Sequence, residues 1–222
     1  MYLIIKKQSH DMTITKNDKL KSMFGLSEHY INGLSEKEKS LYFLVRPVRS
    51  SKYHIDVRLT QVENHINSLI DDAKILGGEL QLNPDFQRGH VWDEQKQIAF
   101  MENVLRKSAP VELKFNCAKF FESNKEINPN MNGGDIVCID GLQRLTAIRE
   151  FVADKFKVFG RYNASDLKQT PFDIGRYTFK FEMFDFDDKR DLLQFYIDLN
   201  SGGVVHSKEE IERVKSILEY LE

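Results

Sequence analysis

Asp135-Ile136-Val137-Cys138-Ile139-Asp140-Gly141-Leu142-Gln143-Arg144-Leu145 is the stretch that decides the fold class. Its apolar run, rich in β-branched residues, predicts a buried strand, and Asp140-Gly141 predicts a tight turn. Leu145, Ile148, Phe151 and Val152 then recur at the spacing of one helical face. The order is strand, turn, helix. Outward from this point, apolar residues at helical spacing from Val62 to Ala73, stopped by Gly77-Gly78, predict a helix. Asp93 can cap another that carries Ile98, Met101, Val104 and Leu105. Short strands are expected at Glu79–Leu82, Val111–Asn116, Ala118–Glu122, Phe156–Phe159 and Tyr177–Phe184. Asp187 or Asp188 opens a further helix, and Ser207 with Glu210 forms a capping-box pattern for a last one. The chain reads as α+β, a mixed sheet with flanking helices.

Residues 1–56 read as a small N-terminal extension. They hold helical patterns at Lys16–Phe24 and Ser35–Leu44, then a Pro- and Ser-containing connection from Arg46 to Lys52. The boundary is expected near Asp56, with the main domain over 57–222.

The 222 residues carry 32 Lys plus Arg against 34 Asp plus Glu, a net charge of −2, so any nucleic-acid contact must use a local basic surface. Residues 1–56 are the more basic part. With 41% hydrophobic residues the chain can build a core and is not a disordered tail. No apolar run is long enough to span a membrane, and the opening MYLIIKK is too short for a secretion signal, so a cytoplasmic protein is expected. Cys117 and Cys138 lack zinc-ligand spacing and fit a reducing compartment, while the six histidines show no metal-ligand pairing.

Two segments can do chemistry. A strand turning at Gly141 into a helix offers backbone N–H groups and the positive end of the helix dipole to an anion. Arg144 can add a bidentate contact to phosphate, Gln143 can orient water, and Asp140 can hold a magnesium ion. The same residues also suit an ordinary turn with Asp140 as a cap. The second segment, Pro84 to Asp93, can bring Gln87 and Arg88 into a pocket while Val91 and Trp92 anchor it, or it can be a solvated loop. The acidic residues Asp185, Asp187 and Asp188 are expected to act as caps and dipole partners.

Four ordered segments then suggest a family. QRGHVW from Gln87, IDGLQRLTAI from Ile139, LNSGG from Leu199 and the Ser-Lys-Glu-Glu helix start at Ser207 together resemble the DUF262 family. This is the N-terminal domain of GmrSD-type modification-dependent restriction enzymes, related in fold to ParB and sulfiredoxin. The resemblance spans roughly Val57 to Glu222 and implies a nucleotide-binding domain that hydrolyses a nucleoside triphosphate with Mg2+ during DNA restriction. The family motif DGQQR falls on Asp140, Gly141, Gln143 and Arg144, with Leu142 in place of its first Gln. Asp140, Gln143 and Arg144 become the implied catalytic group, Asp140 the implied metal ligand, and Gln87, Arg88, Gly141 and Asn200 the implied nucleotide-binding group. Asn200 equally suits a helix C-cap.

The resemblance also implies DNA as a partner and leaves a protein partner or oligomer open. An HNH-like nuclease domain is not expected within this chain. Three activities stay open: a triphosphatase, a non-catalytic nucleotide- or DNA-binding module, and, less favoured, a DNA nickase.

Overall fold

The computed structural model describes residues 15–87, 92–201 and 208–221. Contacts divide the chain into two units, residues 1–49 and 50–222.

The first unit is helical over its described residues: α1 (Lys16–Phe24), α2 (Glu28–Gly33) and α3 (Glu36–Val45). Thr15 and Ser35 close capping boxes with Asp18 and Glu38, which fixes where α1 and α3 begin. Leu20 and Ile31 are buried, and the Phe24 ring packs on Tyr42 and Phe43.

The second unit contains β1 (Tyr53–Arg58), α4 (Val62–Ile75), β2 (Leu80–Gln81), α5 (Glu94–Leu105), β3 (Glu112–Asn116), β4 (Ile136–Asp140), α6 (Leu142–Val152), β5 (Thr178–Phe184), α7 (Lys189–Ser201) and α8 (Lys208–Tyr220). Its five strands form one mixed sheet in the order β1-β5-β3-β4-β2. The β1/β5 and β3/β4 pairs are antiparallel, while β3/β5 and β2/β4 are parallel. This is the α+β architecture expected from the sequence.

Side-chain alternation explains why both faces are covered. Val57, Leu113, Phe115, Ile136, Cys138, Phe179, Phe181 and Met183 join a core shared with α4, α5 and α6. Val137, Ile139 and Phe184 join a second core with Phe86, Phe186 and the apolar residues of α7 and α8. The central turn of the chain, β4 into α6, therefore lies between two packed layers. Burial pushes the Cys138 thiol up to about 12 and Cys117 up to about 11, so both are inert hydrophobes rather than nucleophiles.

A charged patch interrupts this apolar pattern on β3 and β5. Glu112 stands opposite Lys180 and Lys114 opposite Glu182. Lys114 Nζ lies 2.8 Å from Glu182 and 3.0 Å from Glu112, while Lys180 Nζ lies 3.0 Å from Glu182. Burial opposes the charge on Lys114, yet the two carboxylates hold its pKa above the usual value. Burial likewise opposes the charge on Glu182, yet Lys114 and Lys180 hold its pKa below the usual value.

Several elements differ from the sequence reading. The boundary drawn near Asp56 falls inside β1, whose Tyr53–Asp56 pair with Met183–Lys180. Tyr53, Ile55 and Val57 alternate with His54, Asp56 and Arg58, the two-residue period of an edge strand with one solvent face, and the boundary near Asp56 cuts through that pattern. Residues 118–122 form a turn instead of a strand. Phe120 N–H donates to the Cys117 carbonyl and Lys119 N–H to Gly133, across a loop closed by Asn side chains. Residues 156–159 reduce to a single bridge between Val158 and Tyr162, around a turn in which Phe159 has φ 51° and Gly160 φ 65°. The capping box expected at Ser207 and Glu210 lies outside the described residues at Ser207.

Asp185, Asp187 and Asp188 serve structure. Lys125 sits 2.8 Å from Asp187 and 3.8 Å from Asp185. Asp188 accepts from Asn128, Asn130 and Arg190, including the Arg190 backbone N–H at the start of α7.

Candidate functional site at the β4–α6 turn

The turn depends on Gly141. Its φ of 113° with ψ of 4° is a conformation that side chains disfavour, and a Cβ there would stand 2.6 Å from Leu113 Cδ2. Gly141 is also the N-cap of α6, so the helix begins with no side-chain cap. Asp140 does not cap it. Its Oδ2 instead accepts from Arg144 Nη2 at 2.7 Å, one helical turn on. The ion pair is partly sheltered, with side-chain exposures of 33% for Asp140 and 21% for Arg144. Arg144 Nε is shielded from solvent and has no acceptor among the described residues. The guanidinium therefore keeps donor capacity that its carboxylate partner does not use.

Two glutamines tie the second segment to this turn. Gln87 Nε2 donates to the carbonyls of Cys138 and Ile139, both at 2.8 Å, on the last residues of β4 before Asp140. The backbone N–H of Trp92 donates to Gln143 Oε1 at 3.0 Å. Gln87 and Trp92 flank the loop on either side, and each is anchored within a few residues of Gly141. Trp92 is half-buried against the main core, and its ring packs on Phe100 at 5.4 Å between centroids. Asp93 caps α5 by accepting from Lys96 N–H at 2.8 Å, which fixes the exit of the loop.

Asp140, Gly141, Gln143, Arg144 and Gln87 thus come together. Arg88 lies outside the described residues. Asn200 sits in the last turn of α7, where its amide donates to the Tyr196 carbonyl at 2.7 Å. No described hydrogen bond links Asn200 to the turn. Two contacts to the loop were not foreseen: Lys189 Nζ reaches Asp85 at 2.7 Å, and Arg213 Nη2 donates to the Phe86 carbonyl at 2.8 Å. Basic residues on the polar edges of amphipathic helices give no sequence signal that would single them out. A cavity of about 470 Å³ lies elsewhere, between Glu63 and the C-terminal half of α6 at Thr146, Arg149, Glu150, Val152 and Ala153. It touches none of Gln87, Asp140, Gly141, Gln143 and Arg144, so chemistry outranks concavity in locating the candidate site.

The residues present bear on the magnesium ion that the motif implies. Among the described residues no group of three or more His, Cys, Asp or Glu side chains could hold a metal. Within the motif, Asp140 is the residue that supplies a carboxylate at the turn. Magnesium is commonly held by one or two carboxylates together with substrate phosphates and water, so the turn fits an ion that arrives on a nucleotide rather than a stand-alone metal centre.

The α+β architecture thus carries an acid–arginine pair at the uncapped start of α6, where a strand turns into a helix. Residues 66–181 match the GmrSD restriction endonuclease N-terminal domain, and the chain belongs to that family. The matched segment takes in Gln87 and the whole β4–α6 turn and leaves α7 and α8 outside. No curated protein and no solved structure matches the chain. Among the described residues no helix is long and apolar enough to cross a membrane.

Proposed function

We propose that the β4–α6 turn binds the phosphates of a Mg2+–nucleoside triphosphate and hydrolyses it in support of modification-dependent DNA restriction. The observation that carries this reading is the Asp140–Arg144 pair, set at an uncapped helix start and flanked by Gln87 and Gln143. Arg144 retains donors for phosphate oxygens, and the α6 N-terminus adds a favourable field for their charge. Asp140 orients Arg144 and is the carboxylate available to a phosphate-borne Mg2+, which would supply charge neutralisation on the transferring phosphoryl group. Gln87 and Gln143 hold the two motif segments in register, which keeps the phosphate-facing groups positioned. DNA is the partner that family membership favours, through a local basic surface.

A second reading is favoured by two specific observations. Leu142 stands where the family resemblance implies a polar residue, and Gln143 Oε1 is engaged by the Trp92 N–H, which takes it from the role of orienting water. On that reading the domain binds nucleotide or DNA as a regulatory module without hydrolysis.

Phosphate release from ATP, GTP and CTP with Mg2+, with and without modified DNA, separates these readings when run beside a plasmid-nicking assay. Release that disappears in Asp140→Ala supports the triphosphatase. Nucleotide binding without release supports the module, and nicking supports direct DNA cleavage. Absence of binding to any of the three overturns the proposal.

A further inference from the structure

The motif loop is held from a side that the motif itself does not reveal. Phe86 is buried, with its ring edge-on to Tyr196 of α7 at 5.2 Å between centroids. Its carbonyl, the oxygen of the peptide that joins Phe86 to Gln87, accepts from Arg213 Nη2 of α8 at 2.8 Å. Gln87 N–H donates back to Pro84 at 3.0 Å, and the Gln87 side chain runs to β4. One peptide plane is therefore fixed from both ends, by α8 on its oxygen and by the sheet through the next side chain. Turning that plane would carry Gln87 off the Cys138 and Ile139 carbonyls. Arg213 is placed by its neighbour Val214, which is fully buried in the second core with Ile211, Ile217 and Leu218 around it. The Lys189–Asp85 pair adds a contact from α7, but Asp85 is exposed and that pair contributes little.

We infer that Arg213 is a positioning residue for the phosphate site, through which the α7–α8 pair, lying beyond the family-matching segment, sets the orientation of the Gln87 loop. The inference deepens the proposed function and rests on that reading for its nucleotide arm only. A charged donor on a carbonyl is among the stronger single hydrogen bonds, so its loss is felt about tenfold in an equilibrium it controls.

The test compares wild type with Arg213→Ala, Arg213→Lys and the charge control Lys215→Ala in the full chain. The readouts are hydrogen exchange of the peptide covering Pro84–Gln87, calorimetric binding of Mg2+–ATP, –GTP and –CTP, and melting temperature. Arg213→Ala is expected to speed exchange at Phe86 and Gln87 and weaken nucleotide binding, each about tenfold, with α8 protected as in wild type. Arg213→Lys restores part of both effects, and Lys215→Ala changes neither. Wild-type exchange and affinity in Arg213→Ala overturn the inference. Exchange that rises across all of α8 also overturns it, because the arginine would then belong to the core. If wild type binds none of the three nucleotides, the proposed function fails while the exchange comparison still decides the role of Arg213.

Discussion

Replacing Gly141 by alanine separates two costs that the turn combines. The first is conformational: φ 113° lies beyond the usual left-handed basin, and a non-glycine residue held there loses about 1–3 kcal/mol. The second is steric. The new methyl would stand 2.6 Å from Leu113 Cδ2 and 3.2 Å from both Leu113 Cα and Glu112 O. Leu113 is 1% exposed in the main core, so its side chain has little room to move away, and overpacking of this kind costs about 1–3 kcal/mol. Gly77 supplies the control, since it has φ 78° and nothing within 4 Å of a built Cβ. Gly77→Ala should therefore show conformational strain alone, about 1–2 kcal/mol. Urea unfolding followed by the emission of Trp92, which lies in the same unit, gives both values. Gly141→Ala is expected to exceed Gly77→Ala by at least about 1 kcal/mol, and in a Leu113→Ala background the excess should shrink. Equal losses at the two glycines would refute the claim that close approach to β3 shapes this turn.

Three further perturbations test the site and its support. Arg144→Ala should weaken nucleotide binding by about 1.5–3 kcal/mol, with Arg144→Lys recovering only part because it lacks the planar fork; calorimetry showing unchanged affinity removes Arg144 from the site. Gln143→Leu removes the acceptor for the Trp92 N–H and should cost about 1 kcal/mol while shifting Trp92 emission; an unchanged spectrum argues that the two segments are not coupled there. His65 packs edge-on against Phe181 at 4.6 Å with Nε2 buried and unpartnered, and burial holds its pKa below 6.5 against the weaker opposing pull of Asp72. Its neutral form is favoured in the fold, so stability should be full above pH 6.5 and fall as pH drops through the lowered value. His65→Leu should flatten that part of a stability–pH profile, and a profile identical to wild type would refute the assignment.

Much of the site was legible because strand, turn and helix are local events. The apolar run before Asp140, the glycine and the 3.6-residue spacing after it suffice to place β4 and α6. Asp93 was legible as a cap for the same reason. What local pattern cannot carry is which polar atoms meet at a distance. Gln87 looked like a ligand-facing group, yet its amide is spent on β4 carbonyls, and Gln143 is spent on a backbone N–H some fifty residues away in sequence. Asp140, open to a capping role from its position alone, pairs instead with Arg144. The β1 strand carried a legible signal, since Tyr53, Ile55 and Val57 alternate with His54, Asp56 and Arg58, but a boundary placed at Asp56 cut across it. Residues 118–122 misled because Phe120 and Phe121 gave a strand-like composition to a segment whose backbone is closed by turn hydrogen bonds.

The crossed charges on β3 and β5 act as a key for strand alignment. Parallel strands have no hairpin to set their offset, and a one-residue slip would exchange their two faces, driving Phe179 and Phe181 out of the core. A two-residue slip would preserve the faces and so escape that penalty. Here it would not escape: sliding one way sets Glu112 against Glu182, and sliding the other sets Lys114 against Lys180. β3 is also hydrogen-bonded to β4, with Lys114 opposite Asp140, so the strand that carries this key is the one packed beneath the Gly141 turn. Glu112, Lys114, Lys180 and Glu182 thereby select, during folding, how β5 aligns on the strand that backs the turn.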